Sequence, residues 1–300
     1  MPDGFINVLK PSFMTSSDVV VKVRGILKKH YGEKVKVGHL GTLDPGGAGV
    51  LPVAIGKGAR LFPYTDESVK VYRAGFKFGV ETDTLDSFGK VTKTCDKIPT
   101  IEEILTALPK FIGKIAQLPP NYSSISVNGK RAYDLAREGK DFTLSAREVE
   151  IFSIELLYVE DGNFVFEITC SSGTYVRSIV RDIAAALGTV GYMSFIIRLK
   201  SGKFEIADAV TFDEISENPE KYILPVGFFL SDFKRFNVPE QLSEKVLNGV
   251  KVKLRKLPEG NFTVYVRGEL LGIGVEENGC LTVRTRLLLE SLNKVASSCP

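Results

Sequence analysis

The sequence predicts an α+β fold with a small β-rich module at its C-terminal end. Three observations carry this. Residues 69–78 alternate, with Tyr72, Ala74, Phe76 and Phe78 on one face and Val71, Arg73, Gly75 and Lys77 on the other, the pattern of a half-buried strand. Val19, Val20, Val23, Ile26 and Leu27 recur at helical spacing. Past a proline-containing stretch of little periodicity at 218–240, short apolar runs alternate with Gly-containing turns, which places a boundary near residue 230.

In chain order, residues 4–9 (GFINVL) read as a strand ended by Lys10-Pro11, and Ser16-Ser17-Asp18 supplies the N-cap of the first helix. A short strand at 35–37 runs into a Gly-rich loop, 38–49, and 50–55 is apolar enough for a buried strand. Thr100-x-x-Glu103 is a capping box ahead of Ile104, Leu105 and Leu108. The polar stretch 118–140 carries Pro119-Pro120, Asn128-Gly129 and a short helical pattern at Tyr133, Leu135 and Ala136. Strands at 149–159 and 164–170 hinge at Asp161-Gly162, and 174–187 reads as a helix. The terminal module holds strands at 262–266, 270–275 and 280–283.

Composition narrows the function classes. The chain of 300 residues is 44% hydrophobic and 25% charged, ordinary globular values that need no disulfide or metal staple. It holds no apolar run long enough to span a bilayer, and its start lacks the pattern of a secretory signal. Cys95, Cys170, Cys280 and Cys299 form no CxxC pair and fit reduced thiols of a cytosolic protein. Two histidines, His30 and His39, argue against a multi-histidine metal site. The net charge of +3 does not announce a nucleic-acid binder, but basic ends around a more acidic segment at 201–250 permit a nucleic-acid face.

Four constellations carry possible chemistry. The densest is GHLGTLDPGGAG at 38–49, where glycines let backbone approach a ligand and Pro45 biases Asp44 away from helix. A tight turn capped by Asp44 is the plain alternative. A phosphate cradle is disfavoured, because neither GxxxxGK[ST] nor a helix-opening GxGxxG is present. The second is SSGTYVRS at 171–178, a strand-to-helix turn. A cation at Arg177 opposes the helix dipole and calls for an anion, either a functional carboxylate or phosphate, or a surface partner such as Asp182 or Glu167. The third is Tyr72, which on its position alone is a buried structural tyrosine. The fourth is 128–140 (NGKRAYDLAREGK), either a mobile RNA grip or a solvated helix.

Taken together these pieces resemble the TruB family of tRNA pseudouridine synthases. The resemblance lies in Lys10-Pro11 with Ser17-Asp18 beyond it and in GHLGTLDPGGAGVLPVAIGKGARL at 38–61. It continues through KVYRAGFKFGVETDTLD at 70–86, LPPNYSSISVNGKRAYDLAREGK at 118–140 and CSSGTYVRSIVRDIAAALG at 170–188. It spans residues 4 to 205, with a weaker likeness of 230–300 to the family's PUA-type RNA-binding module. It implies a mixed, largely antiparallel sheet with flanking helices in a catalytic domain, 1–230, followed by a PUA-like module, 231–300. The implied activity is isomerisation of the uridine at position 55 of the tRNA T-loop to pseudouridine, with no cofactor and no metal. By the same resemblance Asp44 is the catalytic aspartate, Arg177 its salt-bridge partner and Tyr72 the tyrosine that stacks on the target base. His39, Tyr175, Ile196 and Lys10 are implied substrate contacts. His39 helps take the target out of the loop, Lys10 is the lysine of the KP motif, and Ile196 opens the stretch Ile196-Ile197-Arg198-Leu199. The 118–145 insertion is implied to clasp the tRNA T-arm through Lys130, Arg131, Arg137 and Lys140. A cytoplasmic monomer with no membrane and no protein partner is expected.

The residue types suit that chemistry. Breaking C1′–N1 and rejoining C1′ to C5 needs a carboxylate, a base for the C5 proton, exclusion of water and a flipped nucleotide. Arg177 beside Asp44 would keep the carboxylate ionised. Attack at C1′, attack at C6 and assistance to glycal formation all stay open for Asp44. Two other classes compete: a guide-RNA-dependent enzyme of the same superfamily, and a non-catalytic RNA-binding or tRNA-folding protein.

Overall fold

A computed structural model describes residues 3–64, 69–127 and 129–287. Asn128, Cys299 and residues 288–300 of the C-terminal module lie outside the described residues. The chain runs through β1 (Gly4–Lys10), α1 (Ser16–Tyr31), β2 (Val37–His39), β3 (Ala48–Ile55) and β4 (Lys70–Phe78). A hairpin of β5 (Val80–Thr82) and β6 (Val91–Thr94) follows, then α2 (Ile101–Ala107) and β7 (Gly113–Gln117). The insertion contains β8 (Ser126–Val127), β9 (Lys130–Arg131) and α3 (Ala132–Arg137). Then come β10 (Arg147–Glu160), β11 (Asn163–Cys170), α4 (Val176–Ala186), β12 (Gly191–Ser201) and β13 (Phe204–Glu205). They are followed by α5 (Phe212–Glu217) and β14 (Leu224–Pro225). A separate five-stranded sheet joins β15 (Lys234–Asn237), β16 (Val252–Lys253), β17 (Phe262–Val266), β18 (Glu269–Glu277) and β19 (Cys280–Arg286).

The main sheet has ten strands in the order β14-β1-β3-β12-β4-β11-β10-β7, with β2 beside β3 and β13 beside β12. Among its described pairings only β3 with β12 is parallel. The sheet is thus mixed and largely antiparallel, as expected. The β10–β11 turn falls at Asp161 (φ 49°) and Gly162 (φ 71°), both left-handed, the geometry that a two-residue hairpin turn requires.

Alternation decides which face each side chain covers. Ile6 and Val8 of β1 with Leu51, Val53 and Ile55 of β3 pack under Val19, Val20, Val23 and Leu27 of α1. The opposite face, Phe5, Val50 and Ala54, packs against Leu230, Ile273 and Leu287. These two strands are therefore buried on both sides, which is why 50–55 reads as an uninterrupted apolar run. Beyond β12 the core passes to Tyr72, Ala74 and Phe76 of β4, Phe166 and Ile168 of β11, and Ile179, Val180 and Ile183 of α4.

Several local expectations shift. The cap of α1 is Thr15, in a capping box with Asp18, not Ser16 or Ser17, because Ser16 is drawn inward to bond the Asp44 loop. The Thr100–Glu103 capping box is present as read. The helix read at 174–187 begins at Val176, with Tyr175 as its N-cap. Neither the β5–β6 hairpin, β7 nor β12 was anticipated, and β12 is the strand that fills the gap between β3 and β4. Among the described residues no helix is long and apolar enough to cross a membrane.

Candidate active site

Asp44 sits in the loop between β2 and β3, and α4 delivers Arg177 to it. The Arg177 guanidinium grips both carboxylate oxygens, Nε to Oδ2 at 2.9 Å and Nη2 to Oδ1 at 3.0 Å. This is the two-point geometry that fixes orientation as well as charge. The arginine side chain is 6% exposed, while Asp44 keeps 36%, so the pair has a buried cation and an open carboxylate. Arg177 also donates to the carbonyls of Thr84 (3.1 Å) and Tyr122 (3.1 Å) and lies 3.6 Å from Asp86 Oδ2. The anion that a cation in the first turn of α4 demands is therefore Asp44, supported by Asp86. The surface alternatives are taken elsewhere: Asp182 pairs with Arg181 and Glu167 with Arg73.

The loop around Asp44 is held from beneath by two buried cations. Lys10 has no exposed surface, and its ammonium donates to the carbonyls of Pro11 (3.0 Å), Pro45 (3.2 Å) and Gly47. Burial pushes it down to about 8, with the charge of Asp44 opposing the shift. Arg198, on β12, donates to the carbonyls of Val50 (2.7 Å), Thr42 (3.3 Å) and Gly41 (3.2 Å). The Ser16 hydroxyl closes a third side, donating to Leu43 O at 3.0 Å and accepting from Leu43 N at 2.9 Å. Gly49, at φ 103°, has no room for a side chain, since a Cβ there would stand 2.3 Å from the Arg198 carbonyl oxygen. That close approach is the parallel β3–β12 junction itself.

Tyr72 lies opposite Arg198 in the β4–β12 register and is 8% exposed. Burial raises its phenol, with the Arg198 charge pulling the other way. Ile196, also buried, packs with Leu43 and Tyr72 in one apolar cluster, so three residues of the site share its floor. Tyr175 exchanges two hydrogen bonds with Gln117, its N–H donating to Oε1 at 2.8 Å and its carbonyl accepting from Nε2 at 3.2 Å. His39 stands apart. It lines a shallow pocket of about 370 Å³ with Ser17, Val21, Arg24 and Phe62, and its buried Nδ1 has no hydrogen-bond partner among the described residues. Burial lowers its pKa, and the Arg198 charge adds to the shift.

The insertion is rooted in the same place. Leu118 O accepts from Ser178 and Arg181, and Tyr122 O from Arg177, while Lys130, Arg131, Arg137 and Lys140 are exposed beyond that root. The Arg137 guanidinium lies over the Tyr133 ring at 5.7 Å, and Lys140 pairs with Glu138. Among the described residues no cluster of His, Cys, Asp and Glu is arranged to hold a metal ion.

The model of the TruB family pseudouridylate synthase N-terminal domain matches residues 28–176. A tRNA pseudouridine synthase B of Clostridium kluyveri is 38% identical over 283 residues, spanning 92% of this chain and 96% of that protein. The chain belongs to the TruB family. Its relative from Caldanaerobacter subterraneus subsp. tengcongensis, also a tRNA pseudouridine synthase B, is 40% identical over 280 residues, 92% of this chain and 95% of the other. Solved structures share the TruB-family fold. A chain of a Cbf5-Nop10-Gar1 complex superposes with a TM-score of 0.71 at 23% identity, covering 96% of this chain and 86% of that one. A chain of an H/ACA RNP bound to a substrate RNA containing 2′-deoxyuridine gives 0.70 at 21%, covering 95% and 85%. The likeness extends over the second sheet, the small PUA-like module of this TruB-family chain.

The burial of Lys10 and the parts played by Arg198 and Asp86 are not visible in the sequence. Lys10, expected as a substrate contact, is sealed under the loop with its ammonium on three backbone carbonyls, a position suited to supporting Asp44. Arg198 and Asp86 lie within the family motifs without standing out, since a fully buried arginine and a hairpin aspartate look like surface charges in a sequence. The support role makes a prediction. Lys10→Met should leave buried carbonyls without donors and lower unfolding stability by about 3 kcal/mol or more. RNA affinity should change little in the variant that still folds. Chemical denaturation with a parallel RNA titration checks this, and an unchanged denaturation midpoint with weakened RNA binding would favour the contact role over the support role.

Proposed function

We propose that this chain is a tRNA pseudouridine synthase, an isomerase that converts the uridine at position 55 of the T-loop to pseudouridine. The observation that carries the reading is the open Asp44 carboxylate clamped at two points by a buried Arg177. Relatives at 38% and 40% identity that bear the name tRNA pseudouridine synthase B support it. In this reading Asp44 is the catalytic carboxylate, kept ionised and aimed by Arg177. Tyr72 stacks on the flipped uracil and stands near its C5 proton. Tyr175 and Ile196 shape the base pocket, and His39 helps to draw the target out of the loop. No cofactor is needed, because the isomerisation involves no net redox change and no net hydrolysis.

The tRNA T-arm is clasped by the 118–145 insertion through Lys130, Arg131, Arg137 and Lys140, on a catalytic domain of residues 1–230. The module of 231–300 adds phosphate contacts from its exposed Lys251, Lys253, Arg255 and Lys256. The chain acts as a cytoplasmic monomer without a protein partner or guide RNA. The test is the purified chain alone on an unmodified tRNA transcript and on an isolated T-arm hairpin. Tritium release from C5-labelled uridine should appear with both, with the pseudouridine mapped to position 55. A strict requirement for a second RNA would favour the guide-dependent reading, and binding without release the non-catalytic one.

Electrostatics supplies a second expectation. Affinity should fall steeply with salt, each neutralised phosphate adding a log–log slope of about −0.7 to −0.9. Replacing Lys253, Arg255 and Lys256 by Gln should weaken binding and flatten that slope while leaving the single-turnover rate on saturating RNA unchanged. An unchanged slope would remove the module from the RNA interface.

A further inference from the structure

Two phenylalanines at the edge of the Asp44 loop have no place in the chemistry above. Phe13 is 82% exposed and Phe88 60%, and their rings meet edge to face with centroids 5.9 Å apart and planes at 82°. Both are fixed to the catalytic pair through their backbones. The Phe13 N–H donates to the carbonyl of Pro45, next to Asp44, at 2.8 Å. The Phe88 N–H donates at 3.0 Å to Oδ1 of Asp86, whose other oxygen faces Arg177. The Phe88 ring lies directly on the backbone of Gly46, where a Cβ would come within 2.1 Å of it.

Phe13 also holds a left-handed backbone at φ 65°, a conformation that disfavours a bulky side chain. A large apolar ring is thus displayed to solvent from a position that a glycine would occupy without strain. Core packing does not account for it, because the ring is almost fully exposed.

We infer that Phe13 and Phe88 form an aromatic platform that stacks on an RNA base beside the target uridine. The inference rests on the reading that the substrate is RNA, and it adds a binding element to that reading. Exposed rings with fixed backbones suit nucleobases, because every base offers a π-face and the rings lose little freedom on contact. The location suits a neighbour of the target. Once the uracil turns in toward Asp44, an adjacent base loses its own stacking partner, and the platform beside Gly46 supplies a replacement. Because stacking tolerates any base, the platform strengthens binding without selecting sequence.

The test uses the full chain with Phe13→Gly, Phe88→Ala, the double variant and Phe88→Trp. Thermal melting comes first, and Phe13→Gly should melt no lower than the parent, since it relieves the left-handed strain. Each ring lost should weaken the Kd for a T-arm hairpin about tenfold, with the single-turnover rate on saturating RNA within threefold of the parent. Phe88→Trp should bind at least as tightly as the parent. A 2-aminopurine placed beside the target should be quenched on binding the parent and not on binding the double variant. Unchanged Kd and quenching in a folded double variant, with the parent active, would overturn the platform. A parent that releases no tritium from tRNA defeats the functional reading instead, so the two failures are distinct.

Discussion

Asp44→Asn should fold and bind RNA as the parent does and lose about 10⁴-fold or more in turnover. The amide keeps the shape of the carboxylate, and its one oxygen can still accept a hydrogen bond from the Arg177 guanidinium, which in the parent grips both carboxylate oxygens at 2.9 and 3.0 Å. It cannot act as a nucleophile or stabilise a developing positive sugar, and losing one such group typically costs a factor of this size. Arg177 would then be a nearly buried cation with Asp86, at 3.6 Å, as its remaining carboxylate partner among the described residues. A loss of a few degrees in melting temperature is therefore expected alongside the loss of rate. Single-turnover tritium release and RNA affinity, measured on one preparation, separate the effects. Residual turnover within tenfold of the parent would sink the assignment of Asp44.

Tyr72→Phe should bind RNA nearly as well as the parent yet release C5 tritium about 10²-fold more slowly. The ring packs beside Leu43 and Ile196 whether or not it bears a hydroxyl, so the stacking surface survives. The hydroxyl does not. The phenol is protonated at neutral pH and burial raises its pKa further, so the expected role of the hydroxyl is to relay the C5 proton rather than to act as a standing base. Tyr72→Leu should lose ring and relay together, so affinity and rate fall in parallel. If the Phe variant releases tritium at the parent rate, Tyr72 is a packing surface and Asp44 becomes the next candidate for the base.

What could be read from the sequence follows from how local each signal is. The Asp44 loop was legible because Gly, Pro and Asp constrain backbone at short range, and GTY-x-R because a strand, a tight turn and a helix meet within a few residues. The β10–β11 turn and the α2 capping box were legible for the same reason. β12 was not. Its register shifts between Met193 and Phe195 and again between Arg198 and Lys200, so no single alternation runs through it. Those irregularities lie where the strand passes Tyr72 and the loop, so the site's own geometry hides the strand. The burial of Lys10 and Arg198 is hidden in the sequence for another reason. Their carbonyl acceptors include residues far away in the chain, and a motif shows charge without showing burial.

The parallel seam between Ala48–Gly49 and Ile197–Arg198 sets a condition on how the enzyme comes into being. The carboxylate leaves the ribosome early, at residue 44, and its guanidinium partner only at 177, with the arginine that secures the loop later still at 198. Closing so wide a stretch of chain is entropically slow. No N-terminal fragment ending before β12 contains the complete support, so competence is expected to arrive late. If Asp44 and Arg177 are the catalytic pair, a newborn chain is not expected to modify RNA while it is translated through its first half, and a time course of refolding should show secondary structure recovering before activity does.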